Sequence, residues 1–230
     1  MAGPLVAATY AWPVLPLLVI AIDGPSGSGK SSVSRAIARR YGLGYLDTGA
    51  MYRALAWWHL QGQTDMSTCP LVVSTDPDVI DVHVGDVDVT EAIRGPEVSA
   101  AVSQVAADAT VRAQAVALQR QLIAGAERGI VVEGRDITTV VAPDAEVRIF
   151  LTADLAAREA RRAAEVTGDT ETVEALRAAV AARDAVDSTR THSPLRKAAG
   201  VTEIDATHMT LQEVIDAVAA LVDEALEARA

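Results

Sequence analysis

The sequence predicts an α/β protein with a parallel sheet, and two observations carry that prediction. Short apolar runs typical of buried strands alternate with alanine-rich amphipathic runs typical of helices through most of the 230 residues. A glycine-rich segment, residues 24–31, joins the first apolar run to the first helical one. Strands that alternate with helices form a parallel sheet covered on both faces, and a chain of this length can bury one such core together with a smaller insertion.

Five apolar runs are the candidate strands of this sheet. They are expected at residues 17–22, 44–47, 130–133, 147–151 and 201–205. Between them, helices are expected at residues 32–41, 50–60, 96–107 and 110–128, with Thr48 as a candidate N-cap of the second helix. The predicted architecture is therefore a five-stranded parallel sheet flanked by helices.

One stretch departs from this alternation. Residues 79–84 and 87–89 alternate apolar with polar side chains on either side of Gly85-Asp86, which is typical of a β-hairpin. Residues 62–78, which precede it, are rich in Gly, Thr, Ser, Asp and Pro and are interpreted as a loop. The hairpin is predicted to belong to a small antiparallel sheet inserted into the parallel-sheet protein.

The glycine-rich segment carries a phosphate-binding sequence. Gly24-Pro25-Ser26-Gly27-Ser28-Gly29-Lys30-Ser31 fits G-x-x-x-x-G-K-[ST], and Ser32 opens the predicted helix. The glycines allow successive backbone N–H groups to surround a phosphate, and the helix N-terminus adds positive potential. In this pattern the lysine reaches the β- and γ-phosphates and the final serine reaches a Mg²⁺ ion. The sequence thus predicts that residues 24–32 bind ATP or GTP with magnesium.

Charge and cysteine content exclude several classes of protein. The formal net charge of −11 argues against a surface that follows a nucleic acid polymer, since such surfaces need broad cationic patches. Cys69 is the sole cysteine, which excludes an intramolecular disulfide and a cysteine-based metal site and favours a cytoplasmic location. The four histidines lie far apart without a ligand spacing, so no transition metal is expected.

Residues 1–22 carry no charged side chain, which raises the question of a signal peptide or a membrane span. No Lys or Arg forms a basic region there, and Pro13 and Pro16 would interrupt a helix. The second half of the segment is also needed as the strand before the phosphate loop. Residues 1–16 are therefore expected to be an N-terminal extension, and no association with a membrane is expected.

Arginines are the main indication of a second substrate, because Lys30 and Lys197 are the only lysines. Guanidinium groups hold phosphate and carboxylate in bidentate fashion and stay charged when desolvated. Phosphoryl transfer depends on positioning and charge neutralisation, so a kinase needs cations around both of its phosphate-bearing substrates. A set of arginines that does not bind phosphate would instead form a charged surface exposed to solvent.

Three groups of residues fit this requirement. Two of the groups each share one face of a predicted helix, the first at i, i+3 and i+4 and the second at i, i+4 and i+7. The third group directly follows a predicted strand, and ligands bind at such strand ends in open α/β sheets. The groups are Arg158, Arg161 and Arg162; Arg183, Asp187 and Arg190; and Gly134-Arg135-Asp136.

From about Val19 to the last helix, the chain resembles the bacterial cytidylate kinases, a branch of the P-loop nucleoside monophosphate kinases. The resemblance lies in an ordered set of motifs. These are Ile22-Asp23-Gly24-Pro25-Ser26-Gly27 with Gly29-Lys30, Leu46-Asp47-Thr48-Gly49-Ala50-Met51-Tyr52-Arg53, Ile93-Arg94, Val98-Ser99, Val102-Ser103-Gln104-Val105-Ala106, Val111-Arg112, Gly134-Arg135-Asp136 and the stretch from Arg183 to Arg190.

The resemblance implies transfer of the γ-phosphate of ATP to CMP or dCMP. It assigns the acceptor phosphate, the cytosine edge and the pentose to separate residues, and a carboxylate that accepts from the exocyclic amino group would select cytosine over uracil. The implied sets are Arg53, Arg135 and Arg190 for the phosphate, Ser103, Arg112 and Asp136 for the base, and Arg183 and Asp187 for the pentose, with Thr48 and Tyr52 beside the acceptor.

The resemblance also implies a division into domains. Residues 17–46 and 129–230 would form the ATP-binding core, residues 47–128 the CMP-binding domain with its hairpin at about 79–89, and residues 156–170 a mobile lid that excludes water. Arg158, Arg161 and Arg162 lie on that lid. Glu133 would orient magnesium through water, although this position is more often Asp in the family. A monomer is expected, because one chain encloses both substrates.

Two other classes of protein share the phosphate-binding motif. A regulatory GTPase needs an N/T-K-x-D element for its base, and Lys197 is followed by Ala-Ala-Gly, so that element is absent. A small-molecule kinase that acts on UMP, a sugar or a shikimate-like acceptor shares the fold and the lid and stays open as an alternative. Such an enzyme would not need the Ser103, Arg112 and Asp136 set.

Overall fold

A computed structural model describes residues 17–63, 65–164, 182, 184–189 and 193–229, with the side chains of residues 162–164 excepted. The predicted N-terminal extension lies outside this range, and so does the second part of the predicted lid, residues 165–170. Arg183 and Arg190 also lie outside the described residues, as does the side chain of Arg162.

The described residues form eight strands and six helices, besides a helical stretch at residues 184–189. The strands are β1 Val19–Asp23, β2 Gly44–Asp47, β3 Leu71–Val73, β4 Val82–Val84, β5 Val87–Asp88, β6 Ile130–Gly134, β7 Val147–Thr152 and β8 Thr202–Asp205. The helices are α1 Lys30–Tyr41, α2 Thr48–Leu60, α3 Pro96–Val105, α4 Ala109–Ala124, α5 Leu155–Ala164 and α6 Leu211–Glu227. Short helical turns occur at Met66–Thr68, Ala92–Arg94 and Ile137–Val141, and residues 184–189 are helical.

The main sheet has five parallel strands in the order β2-β6-β1-β7-β8, which confirms the predicted architecture. β1 is central and pairs with β6 on one side and β7 on the other. Because the strands are parallel, their carboxyl ends meet at one edge, where Asp23 pairs with Gly134 and Asp47 pairs with Glu133. The phosphate loop and the Gly134-Arg135-Asp136 segment leave the sheet from this same edge, where ligands of open α/β sheets bind.

Alternating side chains of the central strands fill both faces of the sheet. Ile20 and Ile22 are fully buried in one cluster, together with residues of α1 and α6. Ala21 points to the opposite cluster, which includes residues of α4 and of the turn at Ile137–Val141. Both faces of the sheet are therefore covered, which is why its strands read as continuous apolar runs.

A third apolar cluster joins α2 and α3 to the small antiparallel sheet of β3, β4 and β5. It includes the buried side chains of Val82, Val84, Ile93 and Val102. The predicted hairpin is present, with shorter strands than expected. The interpretation of residues 62–78 as a loop was wrong in part, because Leu71–Val73 pairs with β4 as a third strand.

The predicted role of Thr48 as an N-cap was also wrong. Asp47 has the extended backbone that an N-cap requires, and its carboxylate accepts from the Ala50 N–H at 3.0 Å. Thr48 is the first residue of α2, and its hydroxyl donates to the Glu133 carbonyl oxygen at 2.7 Å. This bond ties the start of α2 to the carboxyl end of β6.

No helix in the described part of the chain combines the length and apolar character that crossing a membrane requires.

Candidate active site

The phosphate loop wraps around its own lysine. Lys30 is 6% exposed, and its Nζ donates to the Pro25 carbonyl oxygen at 2.7 Å and to the Ser28 Oγ at 3.5 Å. Gly27 and Gly29 have φ values of 75° and 92°, which glycine adopts without the strain of a side chain. A Cβ on Gly27 would also lie 3.0 Å from the Arg158 carbonyl oxygen. The glycines thus permit both the turn of the loop and the close approach of α5.

Two carboxylates lie beside this loop at the ends of β2 and β6. Glu133 is buried, and the Tyr45 hydroxyl donates to its Oε1 at 2.6 Å, while the Ser31 hydroxyl is a nearby polar group that lowers the pKa of Glu133. Burial raises the pKa of Glu133, the carboxylate of Asp47 raises it further, and the nearby ammonium of Lys30 opposes both effects. A hydroxyl and two carboxylates gathered in this way are the oxygen ligands that Mg²⁺ prefers.

A cavity next to the carboxyl ends of these strands gathers most of the residues predicted to bind the acceptor. Its walls come from α2, α3, α4, the end of β6 and the helical residues 184–189. It is lined by Thr48, Gly49, Tyr52, Val102, Ser103, Ala106, Arg112, Gly134, Arg135, Asp136 and Asp187.

Arg112 and Asp136, which both line this cavity, form a buried ion pair. Each side chain is 5% exposed. The Arg112 Nη1 also donates to the Ala106 carbonyl oxygen at 3.0 Å, and its guanidinium lies 5.3 Å from the centre of the Tyr52 ring. Both members of the pair are thus held by partners within the protein while they line the cavity.

Arg135 and Arg53 have different positions relative to the cavity. Arg135 lines it, and its Nε donates to the Asp187 carboxylate at 2.9 Å. Arg53 does not line it. Its Nη1 donates instead to the Ile93 carbonyl oxygen at 3.1 Å and to the Ser99 Oγ at 2.9 Å, so that its head group is held at the start of α3.

Arg158 and Arg161 of α5 point at the backbone of the phosphate loop. Arg158 donates to the Ser26 carbonyl oxygen at 3.0 Å and to the Ala153 carbonyl oxygen at 3.0 Å. Arg161 donates to the Ser28 carbonyl oxygen at 3.5 Å and to the Ala206 carbonyl oxygen at 2.5 Å. The structure therefore brings these two predicted lid arginines to the loop.

Sequence reasoning missed three residues that hold the site together. Asp23, fully buried at the end of β1, accepts from the N–H groups of Ile137 and Thr138, both at 2.8 Å, and so fixes the turn after Asp136. Tyr45 holds Glu133, and Asp184 contacts the phosphate loop. Only Asp23 left a signal in the sequence, as an acidic residue that ends an apolar strand.

A group of potential metal ligands lies away from this site, in the small sheet. Side-chain atoms of Asp81, His83 and Asp88 lie within 4.8 Å of one another. Their sequence spacing did not indicate the group, because the pairing of β4 with β5 brings Asp88 opposite His83. All three side chains are at least partly exposed, and we assign no metal to them.

Comparisons with known proteins find relatives over most of this chain. The chain matches the family model described as cytidylate kinase over residues 20–224. It is 47% identical over 220 residues to a cytidylate kinase of Streptomyces avermitilis, covering 91% of this chain and 94% of that protein. It is 49% identical over 216 residues to a cytidylate kinase of Streptomyces griseus, covering 90% and 93%.

A solved structure shows the same fold at low identity. An uncharacterised protein from Eubacterium ventriosum is 14% identical and has a TM-score of 0.51, covering 90% of this chain and 98% of that one. That likeness concerns the fold alone. The match of the family model through nearly all of the described chain, together with relatives close to half identical, shows that this chain belongs to the cytidylate kinase family.

Proposed function

We propose that this chain transfers the γ-phosphate of ATP to CMP or dCMP, giving CDP or dCDP and ADP. The observation that carries the proposal is the buried pair of Arg112 and Asp136 in a cavity at the same sheet edge as the phosphate loop. A cytosine base in that cavity would place its phosphate toward the loop, so that donor and acceptor phosphates meet above the ends of β1 and β6. Membership of the cytidylate kinase family supports the same reaction.

On the donor side, residues 24–32 bind the triphosphate of ATP. The N–H groups of the loop and the N-terminus of α1 surround the β-phosphate. The ammonium of Lys30, which now donates to the Pro25 carbonyl oxygen, exchanges this partner for the β- and γ-phosphate oxygens. Arg158, Arg161 and Arg162 close over the nucleotide as part of a lid at residues 156–170, which keeps water from the γ-phosphate.

On the acceptor side, Asp136 selects the base. Its carboxylate accepts a hydrogen bond from the exocyclic amino group of cytosine, whereas uracil presents a carbonyl oxygen there that the carboxylate repels. Arg112 and Ser103 complete this contact. Arg53, Arg135 and Arg190 hold the acceptor phosphate and Arg183 and Asp187 the pentose, with Thr48 and Tyr52 alongside, by the resemblance of their motifs to the family.

Magnesium fits the oxygen ligands beside the loop. The Ser31 hydroxyl and the Glu133 carboxylate would hold it, the latter partly through water, and the neighbouring carboxylate of Asp47 makes a cation favourable there. The ion supplies charge neutralisation on the phosphates during transfer. Tyr45 keeps the Glu133 carboxylate in place by its hydrogen bond of 2.6 Å.

We expect Glu133→Gln to raise the stability of the protein near neutral pH and to lower its activity. The raised pKa of Glu133 means that its ionised form is disfavoured in the folded protein, so wild-type stability falls as pH rises from the unfolded-state pKa through the folded-state pKa. The glutamine variant lacks this decline and gains stability relative to wild type toward neutral pH. Because its amide is a poorer partner for magnesium, kcat falls about tenfold and the Mg²⁺ concentration for half-maximal activity rises.

Urea unfolding from pH 4 to pH 8 and a magnesium titration of ADP release would measure both effects. Glu203→Gln, which removes an exposed carboxylate paired with Lys197, is the matched control and should change neither the pH profile nor the magnesium dependence. Identical pH profiles for wild type and Glu133→Gln would contradict the prediction.

The reaction itself is tested by ADP release from ATP and Mg²⁺ with CMP, dCMP, UMP, AMP, GMP and shikimate as acceptors. Strong turnover with CMP and dCMP and weak turnover with UMP is the expected pattern. Preferred use of shikimate, or of UMP over CMP, would contradict base reading by Asp136 and favour another small-molecule kinase.

We further propose that the chain acts as a monomer in the cytoplasm, without a nucleic acid polymer or a membrane as partner. Described residues of both proposed domains line the cavity, Thr48 to Arg112 from one and Gly134 to Asp136 with Asp187 from the other. Residues 17–46 and 129–230 act as the ATP-binding core and residues 47–128 as the CMP-binding domain, which agrees with a separate apolar cluster under α2 and α3.

A further inference from the structure

The helical residues 184–189 touch both substrate sites. Asp184 and Asp187 lie at i and i+3, which places them on neighbouring positions of one helical face. Asp184 contacts the phosphate loop, where ATP is proposed to bind, and Asp187 contacts Arg135 in the cavity proposed for CMP. One short helix thus spans from the donor site to the acceptor site.

On the donor side, the contact involves the loop's own backbone. The carboxylate of Asp184 accepts from the Ser26 N–H at 3.0 Å and forms an ion pair with Arg158. Arg158 in turn donates to the carbonyl oxygen of Ser26 at 3.0 Å. The N–H and C=O groups of one loop residue are therefore both held by this pair, whose side chains are 10% exposed for Arg158 and 15% exposed for Asp184.

On the acceptor side, the contact is equally sheltered. Asp187 is 5% exposed as a residue and accepts from the Nε of Arg135 at 2.9 Å. The carbonyl oxygen of the same residue accepts from the Leu195 N–H at 2.8 Å, which joins this helical stretch to residue 195. A displacement of residues 184–189 would therefore move the carboxylate that holds Arg135.

We propose that Asp184 is a positioning residue that couples ATP binding to CMP binding. The inference rests on the proposed function of the two sites. When triphosphate fills the loop, the peptide of Ser26 and the guanidinium of Arg158 adjust around the phosphates, and Asp184, bound to both, carries residues 184–189 with them. Asp187 and Arg135 then adopt the arrangement that favours the acceptor. Coupling of this kind needs a physical element that both sites bias, and this helix contacts both.

The experiment measures affinity for CMP with and without a bound ATP analogue. Isothermal titration of CMP into the full chain, alone and saturated with adenylyl imidodiphosphate and Mg²⁺, gives the ratio of the two dissociation constants. We expect a ratio of about fivefold or more for wild type, within the usual range of coupling between sites. For Asp184→Asn we expect the ratio to fall to about one, while affinity for CMP alone changes little.

Two variants complete the test. Asp78→Asn removes an exposed ion pair with Arg39 far from both sites and should keep the wild-type ratio. Arg158→Lys keeps the positive charge but loses the planar guanidinium that contacts both Ser26 and Asp184, so it should also lower the ratio of dissociation constants. This variant replaces Asp184→Asn in the test if Asp184→Asn does not fold. An unchanged ratio in the folded variants, with only a lower Tm, would show a purely structural ion pair and overturn the inference.

The wild-type titration separates this inference from the proposed function. Binding of both ligands without coupling overturns the role of Asp184 and leaves the proposed reaction intact. Absence of CMP binding to the wild-type chain, with or without the analogue, overturns the proposed function and the inference together.

Discussion

Lys30→Ala is expected to lower kcat by about 10³-fold or more while the protein stays folded. The ammonium is the cation of the phosphate loop, and in the structure it is buried against the Pro25 carbonyl oxygen and the Ser28 Oγ. Without it, the charge that develops between donor and acceptor phosphates loses a neutralising partner within a site of low dielectric constant. Steady-state ADP release with CMP measures the loss.

The fold should tolerate this change, because alanine favours the helical start of α1 and the turn of the loop depends on Gly27 and Gly29. We expect Tm to shift by no more than about 4 °C. The chain offers a matched control in Lys197→Ala, the only other lysine, which forms an exposed pair with Glu203 at 2.5 Å and should keep full activity. Undiminished kcat in a folded Lys30→Ala protein would overturn the assignment of the phosphate loop.

The second large effect is expected at Asp136. Asp136→Asn should reduce the preference for CMP over UMP, as a ratio of kcat/KM values, by about 10- to 100-fold, which corresponds to about 1–3 kcal/mol of discrimination. The amide keeps the shape of the carboxylate but presents a donor as well as an acceptor, so uracil is no longer repelled. Affinity for ATP should change little, because the residue lies in the acceptor cavity.

Asp136→Asn is a better test than Asp136→Ala because Asp136 forms a buried ion pair. Asp136 neutralises Arg112, and both side chains are 5% exposed, so Asp136→Ala would leave a buried charge unpaired at a cost of about 3–5 kcal/mol. Asparagine retains an oxygen that accepts from Arg112. Competition kinetics with CMP and UMP, with Asp78→Asn as the control ion pair, measures the ratio. An equal loss for every acceptor would count against base reading by Asp136.

The five strands of the main sheet and the place of the glycine-rich loop between a strand and a helix could be predicted from local sequence. The phosphate loop is recognisable because its glycines, lysine and serine are contiguous and lie between an apolar strand and a helix. The five strands of the main sheet were predicted for a similar reason, since strands buried on both faces are continuous apolar runs. β3 was missed, because three residues, Leu71–Val73, become a strand only by pairing with β4.

Roles of individual arginines were less accessible to sequence reasoning. Arg53, Arg135 and Arg158 all carry the same charge, and the resemblance to a family assigned each to a substrate. The structure shows that their partners differ: Ser99 for Arg53, Asp187 for Arg135, and the Ser26 carbonyl oxygen for Arg158. A guanidinium has five donors, and which of them face a ligand depends on residues distant in the chain.

The amino-acid sequence was enough to predict a parallel-sheet enzyme with a glycine-rich phosphate-binding motif, and it left the arginines and carboxylates as candidates for a second phosphorylated substrate. The folded chain was needed to show that Asp136 neutralises Arg112, that Tyr45 holds Glu133, and that residues 184–189 contact both the phosphate loop and Arg135. The physical reason is the range of the interactions. Turn and strand preferences act between neighbours in the chain, whereas buried ion pairs and hydrogen bonds form between side chains that only the folded sheet brings together.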